Sequence, residues 1–304
     1  MNDLATVTRD LSGAAVDASP VGARPSRFAS VLDRWLPRVS ASQVIAVRET
    51  PLRVLLRSVT FVVLYWWLAT GAIFALERSS ATRGLGLLLA LALGGVGVLL
   101  LSRARDDASP AGARRSFLGG AFLWSLVQVS FYGGWLVGPT WLNVHVPGAE
   151  PSLRFATQAV ISMLWYQLAM LAVLWSAWVI TWDRVNRTGW WALAVFYTTH
   201  QLACVSIFLG VENPGRGFFP QDLVFLESYF GPARNSLFLI ASVALLLVLT
   251  LTFAIKALRS SMPMRRQALT LLTVLGTLGV LELLVLGLAV EMNLWDAFLE
   301  FRGY

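Results

Sequence analysis

Seven long apolar segments between residues 58 and 290 constrain this chain more than any other feature of its sequence. Each is close to or above the length of about 20 apolar residues that an α-helix needs to cross the hydrocarbon core of a bilayer. Only 13% of the 304 residues are charged, about half the share that is typical of a soluble domain. The sequence therefore predicts an all-α, polytopic membrane protein with about seven transmembrane helices.

The seven predicted spans are separated by short polar connections. They run from Ser58 to Leu76, Gly84 to Leu101, Ser116 to Gly138, Ala156 to Trp182, Gly189 to Val211, Ser236 to Leu258 and Gln267 to Val290. The second span contains the small residues Gly84, Gly86, Gly94, Gly95 and Gly97. Because small residues let membrane helices approach closely, we expect this span to pack tightly against a neighbour.

The distribution of basic residues predicts the orientation of the spans. The tail and loops on the side of the N-terminus carry 18 Lys and Arg residues, against 6 on the opposite side. Because cytoplasmic segments are enriched in Lys and Arg, we expect a cytoplasmic N-terminus and a C-terminus on the far side, which is the periplasm if the host is a Gram-negative bacterium. This bias also accounts for the net charge of +7, so we expect no nucleic-acid partner.

The domain prediction follows from the start of the first span. Residues 1–56 form an Arg-rich cytoplasmic tail that is partly disordered, and residues 57–304 form the seven-helix domain, with a periplasmic loop at about 212–235. Within the tail, the apolar and basic residues from Arg27 to Leu56 are typical of an amphipathic helix on a membrane surface. A flexible tail that only fixes orientation is an equally good interpretation.

Polar side chains inside the spans indicate where a site could lie. Gln128, Gln167, His200, Gln201 and Glu282 are predicted to form one polar layer in the membrane. An ionised group at the centre of a membrane helix costs about 2.5–3.5 kcal/mol, so we expect Glu282 to be protonated, paired or beside a cavity. His200 and Glu282 lie at similar predicted depths, within about 6 Å along the membrane normal. We therefore expect a hydrogen bond between them.

His200 has two interpretations. Its imidazole could be an axial ligand of a chlorin or haem metal. The favoured interpretation is a hydrogen bond between helices, the more common role of a histidine in a membrane bundle. The sequence has no HExxH, GxSxG or P-loop motif and no paired histidines at metal-binding spacing, so we expect a protein that is not an enzyme and holds no metal of its own.

The segment FLGVENPGRGFFPQDLVFLESYF, residues 208–230, is the least regular part of the apolar region. Gly and Pro end the fifth span there, and Asp222 is predicted to be the N-cap of a short helix. Loops of about 20 residues are uncommon unless they have a function, which favours a surface for partner recognition. Its candidate residues are Asn213, Phe218, Phe219, Pro220, Tyr229 and Phe230. A structured connection between two helices is an equally good interpretation.

Three segments carry a family resemblance: IFLGVENPGRGFFPQDLVFLESYFGPARNSLF, YWWLATGAIF and WSLVQVSFYGGWLVGPT. Together they resemble the PuhE family of purple phototrophic bacteria, whose members are associated with photosynthetic complex assembly and encoded beside the reaction-centre H subunit. The similarity extends from about Val59 to the C-terminus. Tyr166-Gln167, Arg216-Gly217 and Cys204 depart from the family pattern, so the chain resembles a divergent member.

The resemblance implies a function that the residues alone do not. It implies a non-enzymatic assembly factor for the bacteriochlorophyll-containing reaction-centre and light-harvesting complex, with reaction-centre or light-harvesting subunits and the lipid bilayer as its partners. It also implies a bacterial inner, intracytoplasmic membrane with a periplasmic C-terminus, and it makes His200 the candidate residue for binding bacteriochlorophyll. Two alternatives stay open: a permanent accessory subunit of that complex, or a membrane carrier of bacteriochlorophyll or a precursor. The resemblance implies no catalytic residues.

Overall fold

The computed structural model describes residues 50–77, 80–138, 152–215, 219 and 221–288, and these residues form helices and connections without any strand. The α-helices are α1 Pro51–Glu77, α2 Ser80–Ala104, α3 Pro110–Tyr132, α4 Leu153–Ser162, α5 Leu164–Thr181, α6 Thr188–Leu209, α7 Leu237–Arg259 and α8 Pro263–Leu286. A 3-10 helix, Gln221–Tyr229, lies between α6 and α7. The predicted disordered tail and most of the predicted interfacial helix fall outside the described residues.

Serine side chains cap the starts of three helices. Ser109, Ser152 and Ser236 each accept a hydrogen bond from a backbone N–H three residues later. Such caps satisfy one of the amide groups that have no partner in the first turn of a helix. At α3 the cap is followed by Pro110 at the first helical position, where proline is well tolerated. This pair of residues starts the helix earlier than the predicted span at Ser116.

The predicted fourth span is divided into α4 and α5, which meet at Met163. The backbone of Gly138 packs against this junction so closely that a Cβ atom on Gly138 would lie 1.8 Å from the carbonyl oxygen of Ser162. The amide of Met163 donates to Val160, three residues earlier, which tightens the end of α4. The junction therefore lies at a contact between distant segments. Neither α4 nor α5 contains a proline or a glycine that would account for the break.

Six of the helices are long and apolar enough to cross a membrane: α1, α2, α5, α6, α7 and α8. Their outward faces carry large apolar residues, such as Leu245, Val248 and Leu251 of α7. Because exposed apolar surface of this extent is unfavourable in water, these faces contact the lipid bilayer. The chain is a polytopic, all-helical membrane protein, as the sequence predicted.

Helix α3 is the centre of the bundle and is less apolar than the helices around it. It packs against α1, α2, α5, α6 and α8 and buries fourteen of its 23 residues. Since other helices surround it, its polar residues Ser116, Ser125 and Gln128 contact protein and not lipid. The shielding explains why a helix of transmembrane length can have a more polar sequence.

The two ends of the bundle differ in the residues that close them. At the first end, which we name the Asn186 end, the starts of α1, α3, α6 and α8 meet the ends of α2, α5 and α7. The second, the Asp222 end, carries the 3-10 helix and the segment 210–236. Asp222 lies there beside Arg83 at the start of α2, while Asn186 contacts Ala104 at the end of α2.

Candidate functional site

A cleft between α1 and α8 opens toward the Asp222 end. Near the Asn186 end these helices are joined by a buried hydrogen bond, in which Gln267 Nε2 donates to Ser58 Oγ over 2.8 Å. Both helices run from this contact toward the Asp222 end, and they separate along the way. A cavity of about 170 Å³ begins at Tyr65 on α1 and Leu275 on α8. Helices α3 and α6 form its floor.

Four helices contribute the residues that line the cleft. From α1 and α3 come Tyr65, Trp66, Ala69, Thr70, Ile73, Trp124, Ser125, Gln128 and Tyr132, and from α6 and α8 come Phe196, Thr199, His200, Leu275, Leu278, Gly279 and Glu282. Tyr65 fixes the floor, because its hydroxyl donates to the Ala121 carbonyl over 2.5 Å and lies 2.8 Å from Ser125 Oγ. The indole of Trp124 stacks on Phe196 with ring centroids 5.4 Å apart.

The predicted polar layer is divided between two places. Gln128, His200 and Glu282 line the cleft. Gln167 and Gln201 instead form a separate pair, in which Gln167 Nε2 donates to Gln201 Oε1 over 3.1 Å. The oxygen of Gln167 accepts from the Tyr197 hydroxyl, also over 3.1 Å. This pair joins α5 to α6 and satisfies most of its own polar atoms.

His200 is held by its own helix and by aromatic rings. Its Nε2 lies 3.3 Å from the Sγ of Cys204, one turn farther along α6. Its ring makes edge contacts with Tyr166 and Trp124, at centroid distances of 5.2 Å and 5.6 Å. The expected hydrogen bond to Glu282 does not form between these two described residues. They share the cleft, but the thiol of Cys204 takes the imidazole nitrogen.

Two acceptors at the cleft have no partner in the described part of the chain. Gln128 is only 4% exposed; its Nε2 donates to the Tyr166 hydroxyl over 3.1 Å, while its Oε1 accepts no hydrogen bond. The carboxylate of Glu282 makes neither a hydrogen bond nor an ion pair within the described residues and is exposed at the opening. Buried polar groups are usually satisfied, so the buried Oε1 of Gln128 is a place in the cleft where a hydrogen-bond donor could bind.

Two features of the cleft bear on the predicted role of His200 as a bacteriochlorophyll ligand. Pockets that enclose drug-sized ligands measure about 300–1,000 Å³, and the cleft, at about 170 Å³, is smaller. The His200 nitrogen that would bind the metal is already directed at Cys204. The geometry therefore favours the packing interpretation of His200. Within the described residues, no group of three His, Cys, Asp or Glu side chains could hold a metal ion.

The predicted recognition segment forms a folded cap over the Asp222 end. Leu223, Leu226 and Tyr229 of the 3-10 helix are each no more than 1% exposed, and the Tyr229 ring lies 5.2 Å from Phe155 of α4. Burial raises the pKa of the Tyr229 phenol above its ordinary value, so the side chain is neutral at physiological pH. Asp222 is the second residue of this 3-10 helix and not the predicted N-cap of an α-helix. Its carboxylate instead pairs with Arg83.

The other candidate recognition residues also make internal contacts. The amide of Asn213 donates to the Leu286 carbonyl at the end of α8 over 2.9 Å. The Phe219 ring stacks on Tyr132 at 6.4 Å and lies 5.9 Å from Phe230. Phe218 and Pro220 fall outside the described residues. The segment therefore links α6, α7 and α8, and a partner would contact its outer side.

Several residues of the cleft were not singled out from the sequence. Tyr65, Trp66 and Trp124 are aromatic residues within apolar segments, where such residues are common and usually pack against neighbours. They differ from other aromatic residues of the spans only in their position on the side of the helix that faces the cleft. Their helical spacing from Gln128 and His200 offered a weak signal, since Trp124 lies four residues before Gln128 on the same side of α3.

These features define the class of protein: a polytopic helical bundle with a laterally open, partly polar cleft and a folded cap at one end. Residues 53–302 match the family described as "Protein of unknown function (DUF3623)", and the chain belongs to that family. It is also similar to the "Uncharacterized 30.4 kDa protein in puhA 5'region" of Rhodobacter capsulatus. The two are 27% identical over 222 residues, which cover 71% of this chain and 80% of the relative. No solved structure matches the chain.

Proposed function

We propose that this protein is a non-enzymatic membrane factor that assists assembly of the bacteriochlorophyll-containing reaction-centre and light-harvesting complex. The observation that carries the proposal is the similarity to a protein of the puhA 5' region in a phototrophic bacterium. The resemblance to the PuhE family in the segment 207–238 supports the same proposed function. Its partners are reaction-centre or light-harvesting subunits, which are themselves helices in the same bilayer.

The proposed topology has seven spans, with α3 as the central seventh and the Asn186 end in the cytoplasm. Among the described residues, the Asn186 end carries Arg53, Arg57, Arg103, Arg105, Arg114, Arg115, Arg184, Arg187, Lys256, Arg259, Arg265 and Arg266. The Asp222 end carries Arg83, Arg154 and Arg234. This bias favours a cytoplasmic Asn186 end in a bacterial inner membrane and a periplasmic cap. Cysteine labelling at Arg234 and Arg184 from outside intact spheroplasts tests it: only the Arg234→Cys variant should react.

The surface that we propose for partner helices is a row of tryptophans on α5. Trp175 and Trp178 have ring centroids 4.9 Å apart, and Trp178 and Trp182 lie 4.3 Å apart. Trp175 is 64% exposed and Trp182 is 47% exposed. Trp182 suits the membrane interface, but Trp175 lies about 10 Å deeper along the helix. Large aromatic surfaces inside the lipid are well suited to contact another helix.

Affinity purification from membranes of a phototrophic host tests this function. A tagged chain should capture reaction-centre or light-harvesting subunits in less than equal amount, together with the near-infrared absorbance of those subunits. The double change Trp175→Leu and Trp178→Leu should reduce this capture, whereas Trp165→Leu, an exposed tryptophan outside the row on the same helix, should not. Capture of no photosynthetic subunit would contradict the proposal.

The same experiment distinguishes the two alternatives. A permanent accessory subunit would be recovered in fixed ratio with mature complexes. A carrier would bring pigment without complex subunits. We place the assembly role first because the exposed tryptophan row on α5 offers a surface for a partner helix. Replacing Phe218-Phe219-Pro220 by Gly-Ser-Gly should lower photosystem yield without preventing insertion; unchanged yield would leave the cap as a plain connection.

A further inference from the structure

The cleft between α1 and α8 combines a carboxylate, an amide oxygen and aromatic walls, and the assembly role explains none of these. Glu282 and the Oε1 atom of Gln128 are both acceptors without a partner in the described residues. We propose that the cleft binds the ammonium head of a bilayer lipid. This inference goes beyond the proposed function and does not depend on it.

The charge of the cleft selects a cation. Its sixteen lining residues include one carboxylate and neither an arginine nor a lysine. A phosphate or carboxylate would therefore meet Glu282 without any compensating positive charge. An ammonium group carries donors for both unpartnered acceptors, and a hydrogen bond between ionised groups is stronger than one between neutral groups.

The aromatic residues favour the same ligand. Trp66 and Trp124 line the cleft from α1 and α3, and Tyr132 and Phe196 extend this aromatic wall. The electron-rich faces of aromatic rings attract cations, and tryptophan does so most strongly. A neutral apolar ligand would gain from the rings but would leave Gln128 and Glu282 unsatisfied.

Size and depth point to a lipid head and not to a whole soluble molecule. A cavity of about 170 Å³ holds a small polar group, and its exposed residue, Glu282, marks the opening on the outer side of the bundle. Glu282 lies four residues before the end of α8, about 6 Å along the helix, and is thus near the level of the lipid head groups. The head can enter sideways while the acyl chains stay in the bilayer.

Native mass spectrometry of the full-length protein tests the site directly. The protein is purified in detergent, freed of lipid and incubated with phosphatidylethanolamine or with phosphatidylglycerol. We expect one phosphatidylethanolamine to be retained at collision energies that remove phosphatidylglycerol. The change Glu282→Gln keeps the shape of the side chain but removes its charge, and it should reduce retention about tenfold. Glu212→Gln, which removes a carboxylate at the same end but outside the cleft, should leave retention unchanged.

A second variant and a soluble ammonium salt test the other acceptor and the source of the ammonium group. Gln128→Leu, which removes the second acceptor, should also weaken retention, and thermal unfolding of each variant confirms that it is folded. Equal retention of both lipids would overturn the preference for an ammonium. Undiminished retention by a folded Glu282→Gln variant would overturn the site. If ethylammonium chloride raises the melting temperature of the lipid-free protein but phosphatidylethanolamine is not retained, the lipid is not the source of the ammonium.

Discussion

The two halves of the bundle differ in how closely α1 and α8 pack and in whether the buried polar groups have hydrogen-bond partners. In the half near the Asn186 end, backbones touch: a Cβ atom on Gly120 would lie 2.1 Å from the Gly189 carbonyl oxygen. The Gly189 amide donates to Ser116 Oγ over 2.9 Å, so polar groups are satisfied within the packing. The half near the Asp222 end also has a close backbone contact, between Gly138 and Ser162, but there α1 and α8 separate, and Gln128 and Glu282 have acceptors without partners in the described residues.

The difference shows how a small membrane bundle can be both stable and open. Close backbone contact needs glycine, and it allows dispersion and hydrogen bonds to hold helices together where lipid provides no hydrophobic drive between them. Once α3 and α6 are fixed at the Asn186 end, the other half can keep an unfilled cleft without losing the fold. The open half should therefore tolerate substitution, and its variants should affect binding more than stability.

The largest effect should come from the contact between α3 and α6. Gly120→Leu places a side chain against the Gly189 carbonyl, and we expect a loss of about 3 kcal/mol or more, with little folded protein recovered. The yield of monodisperse protein in detergent measures it. Gly95→Ala is the matched control, because a Cβ atom there meets nothing within 4 Å. A Gly120→Leu variant as stable as Gly95→Ala would show that this half is not tightly packed.

Asn186 should give the next largest effect. Its fully buried amide donates to the carbonyls of Ala104 and Asp107, and its oxygen accepts from the Thr188 hydroxyl over 2.7 Å. Asn186→Ala leaves these groups unsatisfied, so we expect a loss of about 2 kcal/mol. Thermal unfolding in detergent measures the change. If the variant unfolds at the same temperature as the unmodified chain, the hydrogen bonds of Asn186 do not stabilise this end of the bundle.

At the opposite end, the Arg83 and Asp222 pair should contribute less to stability. Both side chains are partly exposed, at 23% and 49%, and exposed ion pairs contribute below about 1 kcal/mol. Arg83→Ala should instead loosen the cap, which limited proteolysis of residues 211–236 would detect as faster cleavage. Arg154→Ala, at the same end but without a recorded ion pair in the described residues, serves as the control. Global unfolding of the Arg83→Ala variant would contradict the comparison.

The smallest effect on stability should come from the cleft itself. Glu282 has no partner to lose among the described residues, so Glu282→Gln should change the free energy of unfolding by no more than about 0.5 kcal/mol. The same thermal measurement as for Asn186→Ala provides the comparison. A loss as large as that of Asn186→Ala would mean that Glu282 stabilises the fold, and the cleft would no longer be a separate, open region.

The sequence predicted the helices well because long apolar runs determine them with little help from distant residues. It did not predict the division at Met163, because α4 and α5 contain no proline or glycine and Gly138, which packs against the junction, is distant in sequence. Depth in the membrane could be counted along each span, and it brought Gln128, His200 and Glu282 to one cleft. The sequence does not show which neighbouring helix each side chain faces, because the packing of the bundle sets the rotation of each helix about its axis. Gln167 and Gln201 therefore paired elsewhere, and His200 met Cys204 in place of Glu282.

The cap shows a second feature that the sequence did not predict, namely which side chains are buried. Its glycines and prolines correctly predicted an interruption between α6 and α7. Its aromatic residues were interpreted as a surface, yet Tyr229 and Phe219 pack against Phe155 and Tyr132. Local sequence does not reveal whether an aromatic side chain points outward, since both alternatives have the same composition.

The most direct test of the proposed function is the near-infrared absorbance of membranes from a phototrophic host in which the gene has been deleted. The account predicts lower absorbance from the reaction-centre and light-harvesting complex, restored by the unmodified gene and by Gly95→Ala but not by Gly120→Leu. Undiminished absorbance in the deletion strain would contradict a role in assembling that complex.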